Sequence, residues 1–254
     1  MPLRFVGFAL FLVFLLSAIV ALWPASALAP WIESVSKGHW HLAAAEGSFW
    51  NGNGILLAHD GAGRSIAQNI RWQLRWSELV HGRIGVNTAF EQGGGLIVAE
   101  PDGITVEQLD AQLPAAMLVI LLPGAIGRYG WAGTLHARSN NFHCSWHGDL
   151  CAGEIELEWD DAAVAEVTGN RLGDYRVRVV GEGRALRFDL STLRGRLQIN
   201  GSGEITRSGL RFNGEAGASG ADAASLDALL RTLGRVAATP GRYLIDYRET
   251  STNG

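Results

Sequence analysis

Apolar and polar residues alternate with a period of two along most of the chain after residue 38. The alternation is clearest in IRWQLRW (residues 70–76) and EIELEW (residues 154–159). Side chains two residues apart share one face of a strand, so each segment predicts a strand with one apolar and one polar face. The same pattern recurs at residues 175–179, 186–190, 197–199 and 243–247.

Shorter runs predict further strands, separated by turn sequences such as QGGG, EPDG, GEG and NGSG. These strands cover residues 39–45, 84–90, 96–99, 104–111 and 131–137. Because one face of each strand is polar, we predict an antiparallel sheet with one face in water. A parallel sheet would be covered on both faces. We expect a mainly β fold with a curved antiparallel sheet that forms a partly closed barrel, a sandwich or a groove.

About two short helices interrupt the strand pattern. Residues 114–122 (PAAMLVILL) begin with a proline suited to a first helical turn, and Pro123-Gly124 ends the segment. Residues 221–234 place Leu226, Leu229, Leu230 and Leu233 on one helical face. Since strands, a helix and a GRY strand follow in this order twice, the sequence also suggests two pseudo-repeated halves that meet near residues 140–152.

The N-terminus carries a strongly apolar segment. Residues 5–22 contain no charge, and eighteen helical residues span about 27 Å, close to the roughly 30 Å of a bilayer core. Trp23 and Trp31 match an interfacial aromatic belt, and Pro24 ends the helix. We therefore expect a cytoplasmic tail (1–4), a transmembrane anchor (5–23), a membrane-proximal stem (24–38) and a periplasmic β-rich domain (39–254).

A cleaved signal peptide is the alternative for this segment. Ala25-Ser26-Ala27 and Ala27-Leu28-Ala29 resemble cleavage sites, whereas a signal peptide usually has a shorter apolar core of about 7–15 residues. The orientation, with the N-terminus cytoplasmic, depends on Arg4 and the scarcity of positive charge after it. Both interpretations place the remaining residues outside the cytoplasm.

Composition narrows the possible partners. The formal net charge is −4, only 18% of residues are charged, and no run of Lys or Arg could neutralise a row of phosphates. Nucleic-acid binding is therefore not expected. Glycine, at 33 residues, is abundant, which suits a fold of many strands joined by tight turns.

The only two cysteines, Cys144 and Cys151, lie in HCSWHGDLC. HGD forms a plausible hairpin turn between them, and in an oxidising compartment the pair favours a disulfide. A zinc site built from His143, Cys144, His147 and Cys151 is one alternative, and two free thiols are another.

No arrangement of side chains indicates catalysis. NGSGE at residues 200–204 lacks the spacing of a nucleophile motif, and no phosphate-binding or dinucleotide-binding glycine motif occurs. Asp160, Asp161 and Asp174 offer carboxylates, but an Asp-Asp pair after a strand is more typical of a turn or a helix cap. We expect no catalytic residues, no cofactor, no resident metal and therefore no enzyme.

Aromatic side chains are the strongest chemical feature that is left. EGSFWNGNG (residues 46–54) places two bulky rings in a glycine-rich turn where the stem enters the sheet. Most such rings fill the core, but some can line an apolar trough or a partner surface. The candidates for a partner or groove surface are Phe49, Trp50, Trp72, Trp76 and Trp159.

Several segments in order resemble the type II secretion system protein N (GspN) family. They are GSFWNGNG (47–54), IRWQLRWSELVHGRIG (70–85), LPAAMLVILLPG (113–124), GEIELEWDDAAV (153–164), LGDYRVRV (172–179) and the closing LLRTLGR and GRYLIDYR. WNGNG departs from the family in lacking a basic residue after the glycine. The resemblance covers almost the whole chain.

The resemblance implies a single-pass protein of the Gram-negative inner membrane that serves the export of folded periplasmic proteins through an outer-membrane secretin. It implies a scaffold or assembly role, with the inner-membrane platform and the secretin as partners. A membrane-tethered lipid-binding or lipid-transfer protein with a β-groove is the alternative, since a one-faced sheet can hold an acyl chain. A periplasmic hydrolase or metal enzyme is the least supported hypothesis.

Overall fold

A computed structural model of the chain describes residues 11, 14, 15, 20–59, 65–119, 130–148, 150–164, 171–218, 226, 230, 231, 234–239 and 241–250. Within these residues, fourteen strands form one sheet. The strands are β1 (Trp40–Gly47), β2 (Asn51–His59), β3 (Ser65–Arg75), β4 (Ile84–Ala89), β5 (Gln92–Ala99), β6 (Gly103–Pro114), β7 (Trp131–Ser145), β8 (Cys151–Val164), β9 (Arg171–Gly183), β10 (Ala185–Gly195), β11 (Leu197–Thr206), β12 (Gly209–Ala218), β13 (Arg235–Val236) and β14 (Arg242–Thr250).

The strand order follows the chain, since β1 to β12 lie side by side in sequence and β14 and β13 follow. Neighbouring strands pair antiparallel, as in the β7–β8 register of Ala137 with Leu157. The prediction of a mainly β, antiparallel fold is confirmed. The described strands form one open sheet, so neither a closed barrel nor a sandwich of two sheets is present among them.

The helices whose bounds lie within the described residues are short. A 3₁₀ turn (Ala25–Leu28) leads into α1 (Ala29–Val35), α2 (Trp76–Leu79) connects β3 to β4, and α3 (Ala115–Val119) follows β6. The predicted helix at 114–122 corresponds to α3, with residues 120–122 outside the described residues. Most of the predicted helix at 221–234 also lies outside them, although Leu226, Leu230 and Arg231 are helical. The sequence did not predict α1 or α2.

The sheet register shifts at several β-bulges or irregularities. Three of the shifts coincide with Ala44 in β1, Gln108 in β6 and Asp161 in β8, each with a positive φ near 50°. A bulge adds a residue to one strand, so the strand bends and its twist increases. The prediction that Asp160 and Asp161 form a turn or a helix cap is wrong, because both lie inside β8.

The sheet has an inner face, marked by Leu56, Trp72, Ala137, Tyr175 and Ile245, and an outer face that is mostly polar. The register places these buried residues on the same side of successive strands. Two apolar clusters cover the inner face at one end of the sheet. This end carries the C-terminal ends of β2, β8 and β12 and the start of β14. Met117 of α3 packs on Leu56 and Ala58, while Leu226 and Leu230 pack on residues of β8, β9, β11, β12 and β14.

Much of the predicted anchor at 5–23 lies outside the described residues, which include only positions 11, 14, 15 and 20–23 of it. Among the helices of the described segments, none combines the length and apolarity needed to cross a bilayer. The division of the chain into tail, anchor, stem and periplasmic domain, and the two pseudo-repeated halves, stay predictions.

Candidate functional site

Five aromatic residues gather where the chain enters the sheet: Trp23, Phe49, Trp50, Trp72 and Trp76, here called the aromatic end. The ring of Phe49 stacks on Trp23 with centroids 5.7 Å apart and meets Trp50 edge-on at 4.9 Å. Trp50 in turn lies 5.8 Å from Trp76. The rings form a continuous chain, which aromatic quadrupoles favour in these offset and edge-on arrangements.

Backbone carbonyls satisfy the polar edges of this cluster. The indole N–H of Trp50 donates to the carbonyl oxygen of Val20 at 2.7 Å, and that of Trp72 donates to the carbonyl oxygen of Phe49 at 3.1 Å. The amide of Phe49 donates to the carbonyl oxygen of Trp23 at 2.7 Å, and Pro24 forms a β-bridge with Ser48. Residues 20–24 are therefore held against the turn between β1 and β2.

Two glycines make this turn possible. Gly47 has a φ of +89°, and a Cβ there would lie 2.6 Å from the carbonyl oxygen of Asn51. A Cβ on Gly52 would lie 2.6 Å from the ring of Trp72, so the indole occupies the space that a side chain would need. This close approach explains why large rings occur in a glycine-rich stretch.

Further apolar side chains are exposed in other connections at this end of the sheet. Trp76 is 61% exposed and Val80 is 85% exposed, in the connection between β3 and β4. Trp146 belongs to the β7–β8 hairpin, and its indole N–H donates to the carbonyl oxygen of Glu100 in the β5–β6 turn at 2.9 Å. These connections leave the same end of the sheet, and their exposed side chains form the apolar rim: Trp76, Leu79, Val80, Ile84, Trp146 and Leu150.

The inner face is covered at one end but only half-buried along its middle. Phe188 and Phe212 stack there with centroids 5.9 Å apart and nearly parallel planes. The half-buried apolar residues around them are Ile155, Leu157, Val177, Val179, Leu186, Leu190 and Leu210. Trp159 lies at the border of the covered region, 5.2 Å from Trp131, and its N–H donates to the carbonyl oxygen of Ala132.

The outer face of β8 and β9 carries a ladder of ion pairs. Arg176 bonds Glu158 at 2.6 Å and Glu156 at 2.9 Å, and Arg178 bonds Glu154. The hydrogen bond from Arg176 lowers the pKa of Glu158, and the bond from Arg178 lowers the pKa of Glu154. The charges of this face are thus paired across strands.

Asp174 forms a buried ionic clamp. Its side chain is 2% exposed and accepts hydrogen bonds from Arg194 and, at 2.8 Å, from the amide of Asp161. Burial alone raises the pKa of Asp174, but these bonds and the charges of Arg194 and Arg171 outweigh burial and hold the pKa below its usual range. The carboxylate therefore stays ionised and secures the bulge of β8.

Tyr175, the next residue, is also buried. Its hydroxyl donates to the carbonyl oxygen of Leu197 at 2.8 Å. Burial and the neighbouring charge of Asp174 raise the pKa of this hydroxyl. Asp174 and Tyr175 of the GDY sequence therefore tie β9 to nearby strands by hydrogen bonds.

Cys144 and Cys151 are paired across the β7–β8 hairpin, with Cα atoms 4.1 Å apart, and form a disulfide. This prediction is confirmed, and the alternatives of a zinc site and of free thiols are wrong because both sulfurs are bonded to each other. The ring of His143 lies on the outer face, where its Nδ1 is 3.0 Å from the hydroxyl of Thr105 and 3.7 Å from Glu100. Within the described segments, no three His, Cys, Asp or Glu side chains are arranged to hold a metal ion.

Of the five residues predicted as a partner or groove surface, four come together. Phe49, Trp50, Trp72 and Trp76 meet at the aromatic end, whereas Trp159 lies on a different part of the sheet. Trp72 is only 8% exposed. The role of these residues in binding stays a prediction.

Sequence reasoning missed the direct contact of Trp23 with this cluster and the ion-pair ladder. The ladder had a readable signal, because Glu residues at alternate positions 154, 156 and 158 precede Arg residues at alternate positions 176 and 178.

A family model described as "Type II secretion system (T2SS), protein N" matches residues 38–246. The match begins just before β1 and ends within β14, so it covers β1 to β13 and the first half of β14. No curated protein and no solved structure shows a significant match to the chain.

Proposed function

Since the chain belongs to the type II secretion system protein N family, we propose that it is a non-enzymatic scaffold or assembly factor of that secretion system. The match of the family model to residues 38–246, which include nearly all of the sheet, carries the proposal. In this proposal residues 5–23 form a single helix in the Gram-negative inner membrane. The N-terminus is cytoplasmic, and the sheet lies in the periplasm.

Features of the chain support this topology. Residues 5–22 are uncharged and apolar, and Trp23 and Trp50 lie together at the point where that segment joins the sheet. Tryptophan is enriched at membrane interfaces, because its ring is apolar and its N–H is polar. In this proposal the anchor ends at Trp23, which contacts Phe49 in the β1–β2 turn, so the sheet is held close to the membrane.

A scaffold needs binding surfaces rather than a reaction centre. The inner face presents half-buried apolar side chains, and the outer face presents paired charges on rigid strands. The proposed partners are the inner-membrane platform of the secretion system and the secretin.

Mass spectrometry of the full-length protein, extracted from its native membranes with a mild detergent, tests the proposal. Platform proteins or the secretin, retained at stoichiometric levels, support the scaffold role. A matched extraction of an unrelated single-pass membrane protein controls for chance co-extraction. A defined lipid retained without secretion components contradicts the scaffold role.

Lipid binding is a second candidate function, and one observation favours it. The middle of the inner face is apolar across β8, β9, β10 and β12 but is only half-buried. An acyl chain laid along it would remove apolar surface from water. Lipid analysis of the same extract distinguishes this function from the first.

A further inference from the structure

The apolar rim is exposed at the end of the sheet where residues 20–23 meet the β1–β2 turn. Trp76, Leu79 and Val80 belong to one connection between β3 and β4, and Trp146 to the β7–β8 hairpin. Exposed apolar patches of this kind mark surfaces that contact another phase or another molecule.

The N-terminal segment beside the rim indicates that this other phase is a lipid bilayer. Trp23 stacks on Phe49, and Trp50 bonds the carbonyl of Val20, so the last residues of the apolar N-terminal segment adjoin the rim. Residues 5–22 continue from this point as an uncharged apolar stretch. Any bilayer that holds this stretch therefore comes close to Trp76, which lies next to Trp50 in the ring chain.

Two acidic side chains near the rim share one cation. Arg83 bonds Glu78 at 2.5 Å and Glu100 at 3.2 Å. One guanidinium offsets one of the two negative charges, and both carboxylates are largely shielded from solvent, which weakens their repulsion of anionic headgroups. Trp76 and Trp146 have the mixed apolar and polar character that favours the headgroup layer.

We propose that the apolar rim enters the interfacial layer of the membrane that holds residues 5–23, so that the sheet contacts the lipid surface at this end. This inference depends on the anchor in the proposed function. It adds a second attachment beside the helix, and this attachment sets the orientation of the sheet.

Site-directed spin labelling tests the proposal on the full-length protein in vesicles of phosphatidylethanolamine and phosphatidylglycerol. The label is attached through Val80→Cys in the rim. Val236→Cys is the matched control, because Val236 is an equally apolar side chain, 67% exposed, that pairs with Tyr243 beside the covered end of the sheet. The native cysteines are bonded and do not react.

The measurement is the collision rate of each label with oxygen, which concentrates in lipid, relative to a water-soluble nickel chelate. We expect this ratio to be several-fold higher at position 80 than at position 236. Equal, water-like ratios at both positions overturn the proposal. A label at position 80 that is shielded from both reagents indicates a protein contact, and also overturns it.

An alkaline carbonate wash of the same vesicles separates this inference from the anchor. Protein that withstands the wash but carries a water-exposed label at position 80 retains its anchor and lacks the rim contact. Protein that is released by the wash lacks the anchor, and the proposed topology is then wrong whatever the label reports.

Discussion

Asp174 is a single side chain whose surroundings decide its charge. The carboxylate is buried, yet Arg194, Arg171 and the amide of Asp161 favour its ionised form. From the GDY sequence alone, Asp174 could serve in catalysis or in a turn. Its role depends on its hydrogen-bond partners, which belong to β8 and β10. Those partners are 13 and 20 residues away and cannot be identified from local pattern.

Replacing Asp174 with Asn tests the clamp. We expect Asp174→Asn to lower the free energy of unfolding at neutral pH by about 1–3 kcal/mol, because the amide of Asp161 and the guanidinium of Arg194 lose a charged acceptor. Urea denaturation followed by circular dichroism measures the change. Asp189→Asn, at an exposed position on β10, is the control and should change stability little. Equal effects of the two substitutions would contradict the clamp.

The same clamp has a pH dependence. The pKa of Asp174 is lower in the folded chain than its ordinary value of about 3.9, so the unfolded chain binds more protons between the two values. The stabilisation is complete above about pH 4 and is lost as pH falls through the folded pKa. We expect the native protein to lose more stability than Asp174→Asn between pH 5 and pH 2 in urea titrations.

At the scale of elements, the sequence predicted strands where bulky residues alternate with charged ones, as in β3 and β8. It missed β12, whose inner positions include Gly214 and Ala216, because small residues weaken the alternation. It also extended β3 to Trp76, which begins α2 instead. The sequence did not predict the bulges at Gln108 and Asp161. A bulge depends on the register with the paired strand, which local sequence does not reveal.

The β7–β8 hairpin provides a prediction at this scale. The Cys144–Cys151 disulfide closes a short loop, so we expect its reduction to cost about 2–3 kcal/mol of stability. Chemical denaturation with and without reductant measures the difference. The double variant Cys144→Ser/Cys151→Ser controls for other effects of the reductant and should not respond to it. An oxidised protein no more stable than the reduced one would contradict the prediction.

At the scale of the whole molecule, the sequence predicted a one-faced antiparallel sheet but left barrel, sandwich and groove open. The pairing of strands decides between these three architectures. The sequence does not reveal the pairing, because all the strands have similar alternating patterns. The candidate site was predicted in part: Phe49, Trp50, Trp72 and Trp76 meet, but Trp159 does not join them. Contacts between rings depend on which turns and connections come together in the folded chain. The spacing of the residues along the sequence does not contain that information.

Two valines on one strand test whether the inner face binds lipid. Val177 lies on the inner face between Leu157 and Leu190, whereas Val180 lies on the outer face of β9 beside Glu154 and Arg187. We expect Val177→Asp to abolish co-purifying lipid, because a carboxylate on the apolar face opposes an acyl chain. Val180→Asp should retain it. Lipid mass spectrometry on both variants, with folding checked by circular dichroism, gives the comparison.

Equal lipid content in the two folded variants, or none in the native protein, would contradict lipid binding on this face. The scaffold proposal would then stand alone.

The agreement between strand order and chain order has a kinetic consequence. Because β2 to β12 each pair with the preceding strand, a chain that folds from its N-terminus can add one strand at a time to an existing edge. The β7–β8 disulfide can form as soon as that hairpin has closed. The contacts of Leu226 and Leu230 with β8, β9, β11 and β12 come late, because they wait for the last quarter of the chain. We therefore expect folding to proceed in the direction of synthesis and to end with the covering of the inner face by these two leucines.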